Sequence, residues 1–496
     1  MIQLDFSELA FSTILPSLIL LFGALCLLLI NVFARVFSQA LQGLNVALSA
    51  IFLGFSIIFS CNLSVGDAFF GFIHISGISI LSQIAMELCS LIFIVLFLGS
   101  KVKTDDISAR VGEFYPLYLL MIAGFDLMVS STHLLVILLG LEIGSLSLCA
   151  LIALNGRSKG LEASIKYFVL SILASVFFIL GVLCLYLAGA SFDMIHIQDV
   201  LHSKGYISIW GVLLGFVFMV AALGFKTSIV PFHSYMPDVY EGSNAIVAGV
   251  FSIVPKIAAF AVALLVFETF LQSGIVLIEQ ILYVLVVLTI TIPNIAALVQ
   301  QDMKRMLAFS SISHSGFVLA CILIDTQVSI SSLYLYWFLF MFSNIGAFGL
   351  LWFAQNKQES WKQDFEYPIS RFNGLLASAP LYAVFSGIFL LSLAGIPPFG
   401  LFWGKMLVIT SAFGSDYIYL AVIMAINSAI AVFYYLKPVI AMFVMPPNAE
   451  KPKSFLQNAT PFGKILIGAM ALLCCISIFM IQFLLYFIGK YVIGAY

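Results

Sequence analysis

Long apolar runs, separated by short polar breaks, follow one another along nearly the whole chain of 496 residues. Many of them reach the length of about 20 residues that crosses a bilayer as an α-helix. The runs predict helices near residues 11–34, 43–62, 77–100, 114–130, 132–154, 162–188, 208–230, 245–270, 275–300, 305–325, 329–354, 375–413, 416–440 and 464–490. The pattern therefore predicts an all-α, polytopic membrane protein with about 14 transmembrane helices.

Charge content excludes most other classes of protein. Only 9% of the residues are charged and 63% are hydrophobic, with a net charge of -2. A soluble domain carries about 25% charged residues, so a soluble enzyme of this composition would expose apolar surface and aggregate. Disordered and nucleic-acid-binding chains are excluded because they need an excess of charge or a basic face.

Basic residues are distributed unequally between alternate loops. With the N-terminus placed outside, 14 loop Lys and Arg residues fall on the inner side and two, Lys204 and Lys490, on the outer side. This asymmetry follows the positive-inside rule. We therefore expect both termini on the outer face of the membrane. The first helix is expected to be retained, because no Lys or Arg precedes it as in a cleavable signal peptide.

The eight cysteines and six histidines do not form a metal-binding pattern. The cysteines lie in apolar runs without a C-x-x-C pair, as small buried hydrophobes do. No H-x-x-x-H pair is present, so we expect neither a zinc site nor a haem in this chain.

Three lysines fall deep inside predicted membrane helices or beside their predicted breaks: Lys226, Lys256 and Lys405. Lys256 lies roughly 16 Å along its helix, near the middle of a hydrocarbon layer of about 30 Å. An intramembrane lysine costs at least about 2.5–3.5 kcal/mol. It is therefore either a functional cation facing a wet interior or half of an ion pair that only stabilises packing. Lys166 and Lys437 lie closer to helix ends and can reach the interface, although Lys166 is retained as a further relay candidate.

Prolines predict two broken helices at membrane depth. Pro231 and the pair Pro397 and Pro398 each remove backbone donors. Interrupted helices persist in hydrocarbon only where protein or water satisfies the freed groups, so they usually line a site. Lys226 precedes its Pro-Phe pair by five residues, whereas Lys405 follows its Pro-Phe pair by seven. This reversed order is what two inverted repeats, a common transporter architecture, would produce.

Acidic residues and histidines in predicted spans supply partners for the lysines. Glu142 lies about ten residues into its helix without a charged neighbour in the sequence, a position typical of an ion or proton site. Glu87 and Asp126 also lie inside predicted spans. Asp126, His233 and His314 are, with Lys166, the further relay candidates. Burial disfavours a charged lysine and a nearby carboxylate favours it. A lysine whose carboxylate partner approaches and withdraws can therefore relay protons.

Several motifs identify a resemblance that covers nearly all of the chain from about 110 to 410. They are GLEIGSLSL (140–148), EASIKYFVLSILASVFFILG (162–181), GFKTSIVPFHSYMPDVYEG (224–242), QQDMKRMLAFSSISHSGF (300–317) and SLAGIPPFGLFWGK (392–405). The chain resembles the antiporter-like subunits of respiratory complex I. Within that superfamily, PDVYEG, the lysine at 405 and the chain length resemble the subunit N branch.

The resemblance implies a role for each membrane residue. Glu142 and Lys226 match the family's paired carboxylate and switch lysine, Lys256 its central lysine and Lys405 its exit-side lysine. This chain departs from the family pattern at EGSN (241–244), where QGAP is common, and at its Pro-Pro doublet. Glu241 and the missing proline are expected to alter the loop after the first break.

The same resemblance implies a division of the chain. Three N-terminal helices (1–113) precede a first five-helix repeat (114–270), an inverted second repeat (275–445) and a C-terminal helix (464–490).

The implied function is proton translocation within an NADH-quinone-type oxidoreductase. The resemblance also implies a bacterial inner membrane, with both termini on the periplasmic side. This chain would carry no cofactor itself, because flavin, iron–sulfur clusters and quinone belong to partner subunits. Its partners would be other membrane subunits, including antiporter-like homologues, and the lipid bilayer, without nucleic acid.

Two alternatives stay open from the sequence. The first is a subunit of a multi-chain cation/proton antiporter or membrane-bound hydrogenase, which neighbouring genes would distinguish. The second is an autonomous solute transporter, which would move a substrate when reconstituted alone.

Overall fold

The computed structural model describes residues 9–33, 40–98, 108–154, 158–205, 208–354, 367–447 and 459–492. Its N-terminal part contains three long helices and one small hairpin: α1 (Leu15–Phe33), α2 (Ala40–Cys61), β1 (Gly66–Ala68), β2 (Ile73–Ile75) and α3 (Gly77–Leu98). The two strands are antiparallel, and Asp67 lies opposite His74. The His74 backbone N–H also donates to the Ser130 carbonyl at 3.0 Å, so the hairpin contacts the end of the helix Ser108–Val129.

The remaining helices follow in two groups and a tail. The first group is α4 (Ser108–Val129), α5 (Leu134–Ala153), α6 (Ser158–Gly189), α7 (Met194–His202), α8 (Ile209–Thr227), α9 (Met236–Gly242), α10 (Ala245–Phe251) and α11 (Val254–Leu271). The second is α12 (Val276–Leu298), α13 (Met303–Ile324), α14 (Gln327–Phe353), α15 (Leu375–Ser378), α16 (Pro380–Ala394), α17 (Gly400–Gly414) and α18 (Ile418–Phe443). The chain continues with α19 (Pro461–Val492), and short 3-10 turns lie at Phe11–Thr13, Phe69–Gly71 and Ile369–Phe372.

The number of membrane crossings agrees with the sequence. Within the described ranges, 13 helical segments are long and apolar enough to cross a membrane. The helix predicted at 375–413 is divided into α16 and α17, of 15 residues each, which are too short to cross singly. Counted together as one interrupted crossing, they bring the total to 14. The all-α membrane fold is confirmed, whereas the inverted repeats and the domain boundaries stay predictions.

Three helices are interrupted inside the bundle. The breaks between α8 and α9 and between α16 and α17 contain Pro231 and the pair Pro397 and Pro398, as predicted. The third, between α10 and α11, lies within the helix predicted as continuous over 245–270. The predicted crossing is confirmed as Ala245–Leu271, but its interruption was not predicted. Pro255, which was overlooked in the sequence, has no N–H to donate to the carbonyl one turn earlier.

The most buried helices form the centre of the bundle. In α13 and α14, 94% of the apolar window is buried, against 28% in α19. Peripheral helices such as α6 and α19 present exposed Ile, Leu, Val and Phe side chains. Such faces suit hydrocarbon or a neighbouring membrane subunit. The side chains of α11 and α13 are therefore shielded from lipid, and any polar group on them must find its partner inside the protein.

Candidate functional site

Lys226 lies in the last turn of α8, immediately before the first break. Its side chain is 8% exposed. The Lys226 Nζ donates to the Ser171 hydroxyl of α6 at 2.6 Å and to the Ser145 hydroxyl of α5 at 2.8 Å. Helix α8 ends at Thr227, and the φ of 58° at the next residue, Ser228, lies in the left-handed region. The break thus leaves the lysine ammonium held by neutral oxygens on two neighbouring helices.

Glu142 belongs to the same cluster but does not contact the lysine directly. Its carboxylate accepts a hydrogen bond from Ser175, one turn after Ser171 on α6. No ion pair joins Glu142 to Lys226, since a serine hydroxyl lies next to each charge. Glu142 is half-buried rather than buried as predicted. The reason is that α5 presents this side to the bundle surface, where Leu146, one turn on, is also exposed.

Lys256 is the third residue of α11 and is 1% exposed. Its Nζ donates to three acceptors on α13: the Ser311 carbonyl at 2.7 Å, the Ser311 hydroxyl at 2.8 Å and the Ser315 hydroxyl at 2.9 Å. The Tyr240 hydroxyl also donates to Ser311 at 3.1 Å. Within the described ranges no carboxylate pairs with Lys256. It is therefore not half of a packing ion pair.

A small cavity connects the first two lysines. Lys226 and Lys256 both line it, together with Ser145, Tyr167 and Tyr235. The cavity has room for about one water molecule. The rest of the lining is apolar, but these five side chains can supply the two or more hydrogen-bonding partners that an internal water requires. The two lysines, 30 residues apart in the sequence, thus share one polar space.

Lys405 lies on α17, beyond the second break, and is 3% exposed. Its Nζ donates to the carbonyls that end α16, Ala394 at 2.8 Å and Leu393 at 3.5 Å. It also lies 5.5 Å from the centre of the Phe317 ring of α13. Carbonyls at a helix C-terminus carry partial negative charge and attract cations. The second break therefore supplies the acceptors that hold the lysine.

His314 lies on α13 between Ser311, which contacts Lys256, and Phe317, which lies against Lys405. Its Nδ1 is 2.5 Å from the Tyr336 hydroxyl and its Nε2 is 3.3 Å from the Tyr435 hydroxyl. One turn of α13 thus places Ser315 against Lys256, His314 against two tyrosines and Phe317 beneath Lys405. A single buried helix thus contacts both Lys256 and Lys405.

The other relay candidates are not joined to this line. His233 is half-buried, and its Nδ1 has no hydrogen-bond partner among the described residues. Asp126 lies in α4, where its carboxyl group contacts Glu87 and none of the three lysines. Lys166 is at the surface of α6, where it pairs with Glu162 at 2.7 Å and with Asp238 at 2.9 Å. Lys437 is exposed and donates to the Gln300 carbonyl at 2.8 Å, as expected of an interfacial lysine.

Sequence reasoning missed the hydroxyl groups that connect the charges. They are Ser145, Ser171, Ser175, Ser311, Ser315, Tyr336 and Tyr435. One signal was present: Ser171 and Ser175, like Ser311 and Ser315, are spaced at i,i+4 and therefore share a helix face. Spacing alone could not show which lysine each face meets.

The short helix α9, which follows the first break, is held by ion pairs. Arg305 of α13 contacts Glu241 at 2.5 Å and Asp238 at 3.1 Å, and Lys159 of α6 contacts Glu241 at 3.1 Å. Partial burial by itself would raise the pKa of both carboxyl groups, but these cations together with Lys166 lower the pKa below the usual range. Glu241, a departure from the family pattern, thus links α9 to α6 and α13.

The fold and the site together define a class of protein: a multi-helix membrane protein whose interior carries a line of titratable groups beside broken helices. A model of the family described as NADH:quinone oxidoreductase/Mrp antiporter, TM matches residues 131–431. The chain therefore belongs to this family and, within it, to the group of NADH-quinone oxidoreductase subunit N proteins. The predicted resemblance is confirmed.

Relatives match along the whole length of the chain. NADH-quinone oxidoreductase subunit N of Helicobacter acinonychis (strain Sheeba) is 45% identical over 493 residues, covering 98% of this chain and 99% of the relative. The subunit N of Campylobacter hominis is 44% identical over 496 residues, covering 99% of each.

Solved structures give the same fold. A chain of respiratory complex I from Thermus thermophilus with bound aureothin matches with a TM-score of 0.76 and 26% identity, covering 95% of this chain and 98% of that chain. A chain of the Mrp complex from Dietzia sp. DQ12-45-1b has a TM-score of 0.78 at 19% identity, covering 97% and 98%. The second likeness concerns the fold alone.

Proposed function

We propose that this chain is a proton-translocating membrane subunit of an NADH-quinone oxidoreductase, and that protons move along Glu142, Lys226, Lys256 and Lys405. The observation that carries the proposal is the connected polar line through the bundle. Lys226 and Lys256 share one cavity, and α13 contacts both Lys256 and Lys405. All three ammonium groups are held by neutral oxygens, so none is neutralised by a permanent counterion.

The chemistry of the line follows from its charges. Glu142 and Lys226 are separated by hydroxyl groups that can rotate, so a small movement of α5 or α6 changes the distance between the charges. A closer carboxylate favours the protonated lysine, and a more distant one favours proton release. A released proton can reach Lys256 through the shared cavity, and His314 and the hydroxyls around it extend the path toward Lys405.

Redox chemistry belongs to partner subunits in this proposal. Flavin, iron–sulfur clusters and quinone would be held by other chains, and this chain alone would have no catalytic activity. Energy would arrive as a movement or a field change at the broken helices. Neighbouring membrane subunits, including antiporter-like homologues, would cover part of its apolar surface.

The proposal is tested by purifying the complex through a tag on this chain and reconstituting it into vesicles. We expect redox subunits to copurify and NADH oxidation by quinone to acidify or alkalinise the lumen according to orientation. Copurification with antiporter subunits alone, or cation/proton exchange without an electron donor, would instead establish the antiporter alternative. Solute transport by the chain reconstituted alone would establish an autonomous transporter.

Orientation in a bacterial inner membrane gives a separate prediction. With native cysteines replaced, single cysteines in loops 101–113 and 356–372 should react only from the cytoplasmic side. Cysteines in loops 63–76 and 189–206 should react only from the periplasmic side. The first two loops lie largely outside the described residues. Impermeant maleimide labelling of intact cells and of inverted vesicles provides the measurement, and reaction of both sets from one face would contradict the 14-helix topology.

A substitution beside the carbonyls that accept from Lys405 tests this part of the site without changing any charge. Gly395 ends α16 with a φ of +79°, and a Cβ there would lie 2.8 Å from the Lys405 Cδ. Gly395→Ala therefore adds about 1–2 kcal/mol of backbone strain and displaces the lysine side chain. We expect it to reduce proton pumping severalfold at matched amounts of assembled complex. Gly414→Ala is the control, because nothing lies within 4 Å of a Cβ at that glycine; equal pumping by both variants would contradict the role of this geometry.

A further inference from the structure

Two carboxylic acids lie in the N-terminal helices, apart from the lysine line. Glu87 of α3 and Asp126 of α4 are both 0% exposed. Among the described residues, no hydrogen bond or ion pair joins either side chain to Lys226, Lys256 or Lys405. The translocation path proposed above therefore uses neither of them.

The two carboxyl groups contact each other. The carboxyl groups of Glu87 and Asp126 lie close enough for one to donate a hydrogen bond to the other. Glu87 Oε1 also accepts from two hydroxyls of α2, Ser56 and Ser60, the latter at 3.1 Å. Within the described ranges Glu87 Oε2 and both Asp126 oxygens have no conventional donor. Gln83, one turn before Glu87, is likewise 0% exposed, and its Oε1 has no partner among the described residues.

No cation compensates these two acids. Among the described residues, no Lys, Arg or His side chain acts on either carboxyl group. The one further titratable group within reach of Glu87 is the Cys61 thiol of α2. Two carboxylates in contact cannot both carry a charge in an apolar interior, because burial and mutual repulsion oppose ionisation together. A hydrogen bond between two carboxyl groups also requires a proton on one of them.

We propose that Glu87 and Asp126 form a proton-binding site in which the Asp126 carboxyl group donates to the Glu87 carboxylate, and that this site exchanges protons with the hairpin side of the protein through Ser60. Ser60 is buried, but Cys61 and Asn62, which follow it, are exposed. Its hydroxyl is thus the last polar group between Glu87 and the surface at the end of α2. The site is distinct from the lysine line and does not depend on the role proposed for it.

A sodium ion is the competing ligand, because carboxylate, hydroxyl and amide oxygens also bind hard cations. Direct contact between the two carboxyl groups favours the proton, since a metal ion would lie between their oxygens and hold them apart. The Ser56 and Ser60 hydroxyls also donate to Glu87, as they would to a carboxylate without a metal.

Infrared difference spectroscopy of the assembled complex in lipid nanodiscs tests the proposal. Wild type should show the C=O stretch of a protonated, buried carboxyl group at neutral pH. Asp126→Asn should lose the aspartate band. Glu87→Gln should shift the band instead, because Asp126 stays buried and protonated but no longer donates to a carboxylate. Glu162→Gln, which removes a surface carboxylate, should leave the band unchanged. Isotope labelling of aspartate should shift the wild-type band, which assigns it even if a variant does not assemble.

Two further measurements decide the route and the ligand. Ser60→Ala should slow the hydrogen–deuterium shift of the band severalfold without removing it, and adding sodium chloride at constant pH should leave the band unchanged. A band that survives unchanged in Asp126→Asn, that does not shift in Glu87→Gln, or that shows no aspartate isotope shift overturns the shared proton. Loss of the band on adding sodium overturns the choice of ligand, and an unchanged exchange rate in Ser60→Ala overturns the route.

Discussion

Lys405→Ala and Lys256→Ala are each expected to lower proton pumping by about a hundredfold, the lower range of what one positioned proton-transfer group contributes. Each change removes a titratable group that no neighbouring residue replaces, because the surrounding acceptors are neutral serines and carbonyls. Assembly should be retained, since a buried methyl group is tolerated better than an unpaired charge. The measurement is the initial rate of proton translocation per assembled complex in reconstituted vesicles.

Variants at position 405 separate charge from titration. Lys405→Arg keeps a cation that can donate to the Ala394 carbonyl but does not release a proton near neutral pH, so it should assemble and pump poorly. Lys405→Glu should keep partial activity only when protonated, because an ionised carboxylate would face the Ala394 and Leu393 carbonyls. Lys437→Ala is the matched control, an exposed lysine that also donates to a backbone carbonyl. Full pumping by both Lys256→Ala and Lys405→Ala would reduce these lysines to packing residues.

The second large effect concerns Glu142 and Lys226. Glu142→Gln and Lys226→Ala should each lower pumping by about a hundredfold, because each removes one half of the charge switch. The double variant should cost little more than either single variant, since groups that act as one unit give non-additive losses. Removing Glu142 leaves the buried ammonium without an anion, whereas removing Lys226 leaves the carboxylate without a cation. The relay stops at the same step in both cases.

The serines provide an intermediate in the same double-mutant comparison. Ser175→Ala leaves both charges in place but removes the hydroxyl that donates to Glu142. We expect a loss smaller than that of Glu142→Gln, and no further loss when Ser175→Ala is added to Glu142→Gln. All rates are compared at matched assembly. If the losses of Glu142→Gln and Lys226→Ala simply multiply, the two residues act independently and the switch is wrong.

The buried lysines and two of the helix breaks were recognised without the structure. Lys226, Lys256 and Lys405 were conspicuous because a charge in hydrocarbon is too costly to occur without a cause. Pro231 and the Pro397–Pro398 pair placed two of the breaks, because proline lacks a backbone donor whatever its surroundings. Pro255 carried the same signal for the third break, but it lay inside an uninterrupted apolar run.

Residues whose roles depend on a distant neighbour were not recognised. The pairing of Lys256 with Ser311 joins positions 55 residues apart, and that of Lys405 with the end of α16 depends on how two short helices meet. Glu241 was expected to alter the loop after the first break. In the structure its carboxylate pairs with Arg305 and Lys159, which offset its charge. Serine is common in helices, so a serine indicates a partner only when the neighbouring helix that it faces is known.

The sequence by itself determined that the chain lies in a membrane, that it crosses about 14 times and that Lys226, Lys256 and Lys405 are buried. These properties depend on local hydrophobicity and on the cost of burying charge, which can be evaluated residue by residue. Only the tertiary structure decided which hydroxyls hold each lysine, that Glu142 is half-buried and separated from Lys226, and that Glu87 contacts Asp126. Such contacts are set by how helices distant in the sequence pack against one another, because packing chooses the face that each helix presents.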